Sequence, residues 1–230
     1  MGSQHGGVGR MVTRVRLAVV GTGGAPVPHK FLRQAAPTGD LALVLPGSGY
    51  TADMPLLHYP ARLLLEAGAD LLALEYAYGG LAAPERERRL AADVGAACRA
   101  ALAQRPYEWV TLLGKSLGTI AMAGLFAAGI VPPEARAIWL TPVLGDDHVW
   151  AAMQRTRPPA VVAIGTADPF YDAGRLAAVR ATAGVEAVVV DGADHGLELP
   201  GDVLGSLAAL ERVVRAVQRL LTAGGDHARR

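Results

Sequence analysis

Six short apolar runs recur along the chain with helix-forming sequence between them: residues 41–45 (LALVL), 70–76 (DLLALEY), 109–113 (WVTLL), 137–140 (AIWL), 160–164 (AVVAI) and 186–190 (EAVVV). Each has the length of a strand and is too short for a buried helix. None alternates apolar with polar residues as a half-solvated strand would, so both faces must be covered. Such strands, alternating with helices, specify an α/β fold: a mostly parallel sheet covered by helices on both faces. The helices are expected at 54–67, 84–104, 116–128, 146–154, 171–183 and 202–222. Gly68 stops the first, and Pro84 lies near the start of the second, where its missing N–H costs nothing. Residues 15–20 (VRLAVV) and the segment before Leu41 can add antiparallel strands at one edge.

The 230 residues suit one domain of this class, expected at 12–222. Residues 1–11 (MGSQHGGVGRM) are Gly-rich and lack the apolar core of a secretory signal, so they read as a flexible start or vector remnant. Residues 223–230 read as a flexible tail. The net charge of +1 gives no basic field for nucleic acid or an anionic membrane. The longest uncharged apolar run, 120–131, falls short of the ~20 residues of a membrane span. A single cysteine, Cys98, rules out an internal disulfide and fits the reducing cytoplasm, the expected location. In a helix it reads as a small core residue.

In such sheets ligands gather beyond the carboxyl ends of the strands. The segments there are PGSGYTAD, AYGG, GKSLG, TPVLGDD, GTADPFYD and DGADHGLE, so one cleft should collect them. GKSLG has two readings. Gly114-Lys115-Ser116 could close a phosphate-binding loop, but the glycine that loop needs would fall at Trp109, inside the strand itself. Residues 21–26 (GTGGAP) imitate a dinucleotide fingerprint but carry Pro26 where a glycine or alanine belongs. The remaining reading is G-x-S-x-G, a turn that exposes a serine between a strand and a helix. Gly114 and Gly118 leave room for that crowded turn, and the helix start beside Ser116 favours developing negative charge.

A serine hydroxyl needs a base, and the base needs an orienting group. His195 follows the last strand and Asp168 the strand before it, so Ser116, Asp168 and His195 occur in order at one sheet edge. Each has an inert alternative: Ser116 or Asp168 as helix caps, His195 as a surface loop residue. Asp172 is the rival acid, and Asp194 is too close in sequence to His195 to turn back on its ring. Lys115 reads as a solvated or ion-paired lysine. Asp146-Asp147-His148 reads as a helix start rather than a metal site, and no metal or cofactor is expected.

GKSLG, GTADP, GADHG and PGSGYTAD together resemble the α/β-hydrolase superfamily over about residues 41–221. The resemblance implies an oxyanion hole built from the backbone N–H of Leu117 and that of Ser48 or Gly49. It implies a Ser-His-Asp hydrolase that passes through an acyl-enzyme. Many members carry His-Gly where this chain has Pro46-Gly47. Residues 141–159 are too few for the cap domain that many relatives insert there, so the cleft should be open to a small substrate. Compact capless relatives include dienelactone-hydrolase-like enzymes and small carboxylesterases. Tyr50, Tyr76, Tyr78 and Phe170 follow strands and are the candidate pocket residues. The expected activity is hydrolysis of a carboxylic ester or thioester. A peptidase or amidase, or a catalytically silent scaffold protein, are the alternatives; the sequence sets no oligomeric state.

Overall fold

The computed structural model describes residues 11–155, 159–182 and 184–225; the expected flexible start (but for Met11) and residues 226–230 of the expected tail lie outside them. In chain order the elements are β1 (Val12–Val15), β2 (His29–Gln34), β3 (Asp40–Leu45), α1 (Pro55–Ala67), β4 (Asp70–Leu74), α2 (Ala83–Leu102), β5 (Trp109–Lys115), α3 (Leu117–Ala127), β6 (Arg136–Leu140), α4 (Asp147–Arg155), β7 (Ala160–Gly165), α5 (Ala173–Arg180), β8 (Val185–Val190) and α6 (Val203–Gly225). The strands form one sheet in the order β1-β2-β4-β3-β5-β6-β7-β8. β1 and β2 are antiparallel, and every pair from β4 to β8 is parallel.

Because strand side chains alternate between faces, each central strand feeds two cores. Leu41, Leu43 and Leu45 of β3 join Val162 and Ile164 of β7 beneath α2, α3, α4 and α5. Ala42 and Val44 join Val161 and Ala163 beneath α1 and α6. The strands therefore carry apolar residues on both faces, as the unbroken runs require. α3 is apolar all round and largely buried. Cys98 is fully buried in the first core, and burial pushes its thiol up to about 12.

Two expectations at the ends need correction. The edge strand lies at Val12–Val15, not 15–20. Leu17 and Val19 are buried and alternate with exposed neighbours, but only Val20 makes an isolated bridge, to Pro26. Beyond β1 the segment turns back on itself, with the Val27 amide donating to the Val19 carbonyl at 3.1 Å, and the Thr22 amide donates to the Asp93 carboxylate of α2 at 2.7 Å. The expected strand before Leu41 is present as β2. At the other end α6 runs to Gly225, three residues past its expected stop. It lies beside the outermost strand, where Arg212 donates to the Val189 carbonyl at 2.9 Å and Arg219 pairs with Glu186.

Candidate active site

Ser116 links β5 to α3 with φ 51° and ψ −115°, in the region disfavoured for a side-chain-bearing residue. The surroundings enforce that conformation. A Cβ at Gly118 would run into the Leu45 carbonyl oxygen, and one at Gly114 into the Met122 sulfur. Only glycine allows β5, the start of α3 and the end of β3 to approach this closely. The Ser116 amide donates to the Leu140 carbonyl at 3.1 Å. Its carbonyl accepts from the Thr119 hydroxyl at 2.6 Å, which in turn accepts from the Val143 amide at 3.3 Å.

The loops after β7 and β8 are tied together beside this turn. The Thr166 hydroxyl donates to Asp191 at 2.8 Å and accepts from the Gly192 amide at 2.8 Å. Gly165 lies so close to the Ala193 carbonyl that it has no room for a Cβ. Asp194 folds the next residues into a turn, accepting from the amides of Gly196 at 2.7 Å and Glu198 at 3.0 Å. His195 is thereby aimed at the Ser116 turn, the elbow between β5 and α3.

Ser116 Oγ lies 2.8 Å from His195 Nε2, and His195 Nδ1 lies 2.8 Å from Asp168 Oδ2. The Asp168 side chain is fully buried, and its other oxygen accepts from the Phe170 amide at 2.8 Å. The rival carboxylate Asp172 instead caps α5, accepting from the Arg175 amide at 2.9 Å. Asp146 accepts from the amides of His148 and Val149 at the start of α4. Among the described residues no group of three His, Cys, Asp or Glu side chains is arranged to hold a metal ion.

Leu117 opens α3, so its N–H is a first-turn donor with no acceptor within the helix. Residues 46–49 pass directly alongside: a Cβ on Gly47 would lie 3.3 Å from that of Ser116. Ser48 is exposed, and Gly49 has φ 67°. Tyr76 holds this loop by donating to the Pro46 carbonyl at 2.6 Å, and burial raises its phenol pKa so that it stays a donor. Tyr76 stacks on Tyr78 at 5.3 Å, and the Tyr78 hydroxyl donates to Asp93 at 2.9 Å.

A cleft of about 510 Å³ opens beside these groups, lined by Gly47, Ser48, Gly49, Tyr50, Tyr76, Tyr78 and Leu117 among others. Phe170 stands apart from it, edge-on to the His195 ring at 5.2 Å. A second groove of about 410 Å³ runs between α1, the 194–201 loop and α6, and shares Tyr50 as its wall.

Lys115 departs from expectation. It is neither solvated nor paired with a carboxylate: only 3% of its surface is exposed. Its ammonium donates to the His195 carbonyl at 3.0 Å and lies 4.6 Å from the centre of the Tyr50 ring. Burial pulls its pKa down to about 8, against the opposing pull of Asp168 and Asp194. Its partners are distant in sequence, and nothing local to GKSLG announced them.

Solved structures with this architecture are numerous. A lidless α/β serine hydrolase from Xanthomonas campestris is 20% identical, with a TM-score of 0.59 over 89% of this chain and 94% of its own. An α/β serine hydrolase homologue from Coxiella burnetii is 17% identical, with a TM-score of 0.62 over 89% and 96%. A dienelactone hydrolase from Anabaena variabilis is 19% identical, with a TM-score of 0.57 over 91% and 98%. At these identities the likeness is one of fold. A search of curated proteins returns no match. The family model described as an alpha/beta hydrolase domain matches residues 40–220, most of the chain and all of its parallel sheet. The chain therefore belongs to the alpha/beta hydrolase domain family.

Proposed function

We propose that the protein is a serine hydrolase acting on a small carboxylic ester or thioester. The observation that carries this reading is the unbroken chain of contacts Ser116 Oγ to His195 Nε2 to Asp168, 2.8 Å at each step. Ser116 attacks the substrate carbonyl carbon while His195 takes its proton. The tetrahedral oxyanion is received by the backbone N–H of Leu117 and that of Ser48 or Gly49, together with the positive end of α3. His195 then protonates the leaving group, and the acyl-enzyme forms. Water, deprotonated by the same imidazole, attacks the acyl carbon; the bond to Ser116 Oγ then breaks as His195 returns the proton to that oxygen, releasing the acid and restoring the serine. Asp168 keeps the Nδ1 proton in place and stabilises the imidazolium as it forms.

The open cleft walled by Tyr50, Tyr76 and Tyr78 suits a compact acyl or alkoxy group. The test is a fluorophosphonate probe, which phosphonylates an activated serine. Capture at Ser116, abolished in Ser116→Ala and weakened in His195→Ala, supports the reading. No capture by the folded protein overturns it in favour of a silent scaffold.

A further inference from the structure

Lys115 is a buried ammonium that the proposed chemistry leaves without a task. It sits at the junction of the three segments that must stay in register. Its own strand β5 leads into Ser116. The carbonyl to which it donates belongs to His195, 80 residues away. The ring it faces belongs to Tyr50, at the end of the loop that carries Ser48 and Gly49. Tyr50 is anchored in turn, because its hydroxyl accepts from the Leu56 amide in the first turn of α1 at 2.9 Å. No other side chain among those described bonds the His195 carbonyl.

We propose that Lys115 is a positioning residue whose charge clamps the histidine loop and the 46–50 loop onto the elbow, keeping base, nucleophile and oxyanion donors mutually aligned. The inference rests on the serine hydrolase reading. A charged ammonium is attracted to the face of the tyrosine ring and donates strongly to the carbonyl; a neutral amine keeps only a weak hydrogen bond. The charged and titratable groups around it are Asp168 after β7, Asp194 and His195 after β8, and Tyr50 after β3, with Glu198 near the Tyr50 hydroxyl. Both aspartates favour the charged form, and burial opposes it, bringing its pKa to about 8. The clamp should therefore loosen as the pH passes that value.

The experiment is fluorophosphonate inactivation of the full chain, following the first-order limit and the half-saturating probe concentration from pH 6 to 10. Wild type, Lys115→Met and Lys115→Arg are compared, with folding checked by circular dichroism at each pH. For the wild type we expect a rate that falls about 3- to 10-fold above pH 8. Lys115→Met should lower the limiting rate 10- to 100-fold at pH 7, change half-saturation less than twofold, and abolish the alkaline fall. Lys115→Arg, charged throughout, should keep part of the rate and show no fall. If folded Lys115→Met reacts within twofold of wild type, the positioning role is overturned while the hydrolase reading stands. If wild type does not react at all, the hydrolase reading fails and this one with it. Should Lys115→Met not fold, the wild-type profile decides: a flat rate from pH 7 to 10 overturns the proposal.

Discussion

A charge desolvated for a positioning task should weaken the fold that holds it, and Lys115→Met tests this directly. The ordinary lysine value is 10.5, and in the folded chain it falls to about 8. At 1.36 kcal/mol per pH unit, that span makes the charged form a burden on the fold of about 3 kcal/mol at pH 7. The sign follows from proton counting. Between about 8 and 10.5 the unfolded chain keeps the proton that the folded chain has released, so stability rises with pH across this window. Integrating from pH 7 to pH 10 gives wild type about 2.5 kcal/mol relative to a variant without the amine. Methionine fills similar space without charge, although the His195 carbonyl loses its partner at a cost of about 1–3 kcal/mol. We therefore expect Lys115→Met to be more stable than wild type by up to about 2 kcal/mol at pH 7, and less stable at pH 10. The assay is urea unfolding of both proteins at pH 7, 8, 9 and 10, read by tryptophan fluorescence, to which the buried Trp139 contributes. A stability difference that stays constant from pH 7 to 10 would refute the reasoning, since it would mean folding does not lower the pKa of this ammonium.

Four further outcomes are expected. Asp168→Asn should slow probe capture by about 10⁴-fold through the wrong imidazole tautomer, whereas Asp172→Ala should leave capture unchanged and cost about 1 kcal/mol as a lost helix cap, read by urea titration. Gly118→Ala should forfeit more than about 3 kcal/mol or the soluble fold altogether, because the added methyl meets the backbone carbonyl of Leu45, which cannot rotate aside; normal thermal melting of this variant would contradict the close crossing. Cys98, fully buried with its thiol pushed up to about 12, should resist a thiol-reactive dye at pH 8 until denaturant is added.

The parallel sheet was legible because each of its strands satisfies two cores at once, which leaves unbroken apolar runs such as LALVL and AVVAI. The elbow was legible for a related reason: crowding between β3, β5 and α3 can be met only by glycine, so the backbone constraint is written in residue type. The roles proposed for Asp168 and His195 rested on their positions after successive strands, which the topology turns into proximity. The edge strand was misplaced because alternation marks burial, not pairing. Leu17 and Val19 alternate into the core yet join no ladder of the sheet; the segment makes only an isolated bridge, Val20 to Pro26. The surroundings of Lys115 left no trace because its partners are a main-chain carbonyl and a ring, each far away in sequence. Main-chain acceptors have no signature in residue type.

The outermost strand has a consequence for how the molecule behaves in company. β8 is paired on one side only, and a bare row of amides and carbonyls recruits a strand from another molecule. α6 guards that row. Arg212 occupies the Val189 carbonyl, and the Arg219–Glu186 pair adds bulk and charge near the strand's beginning. Replacing both arginines, neither of which lines the candidate cleft, should leave that cleft unchanged and produce concentration-dependent association, measured by light scattering.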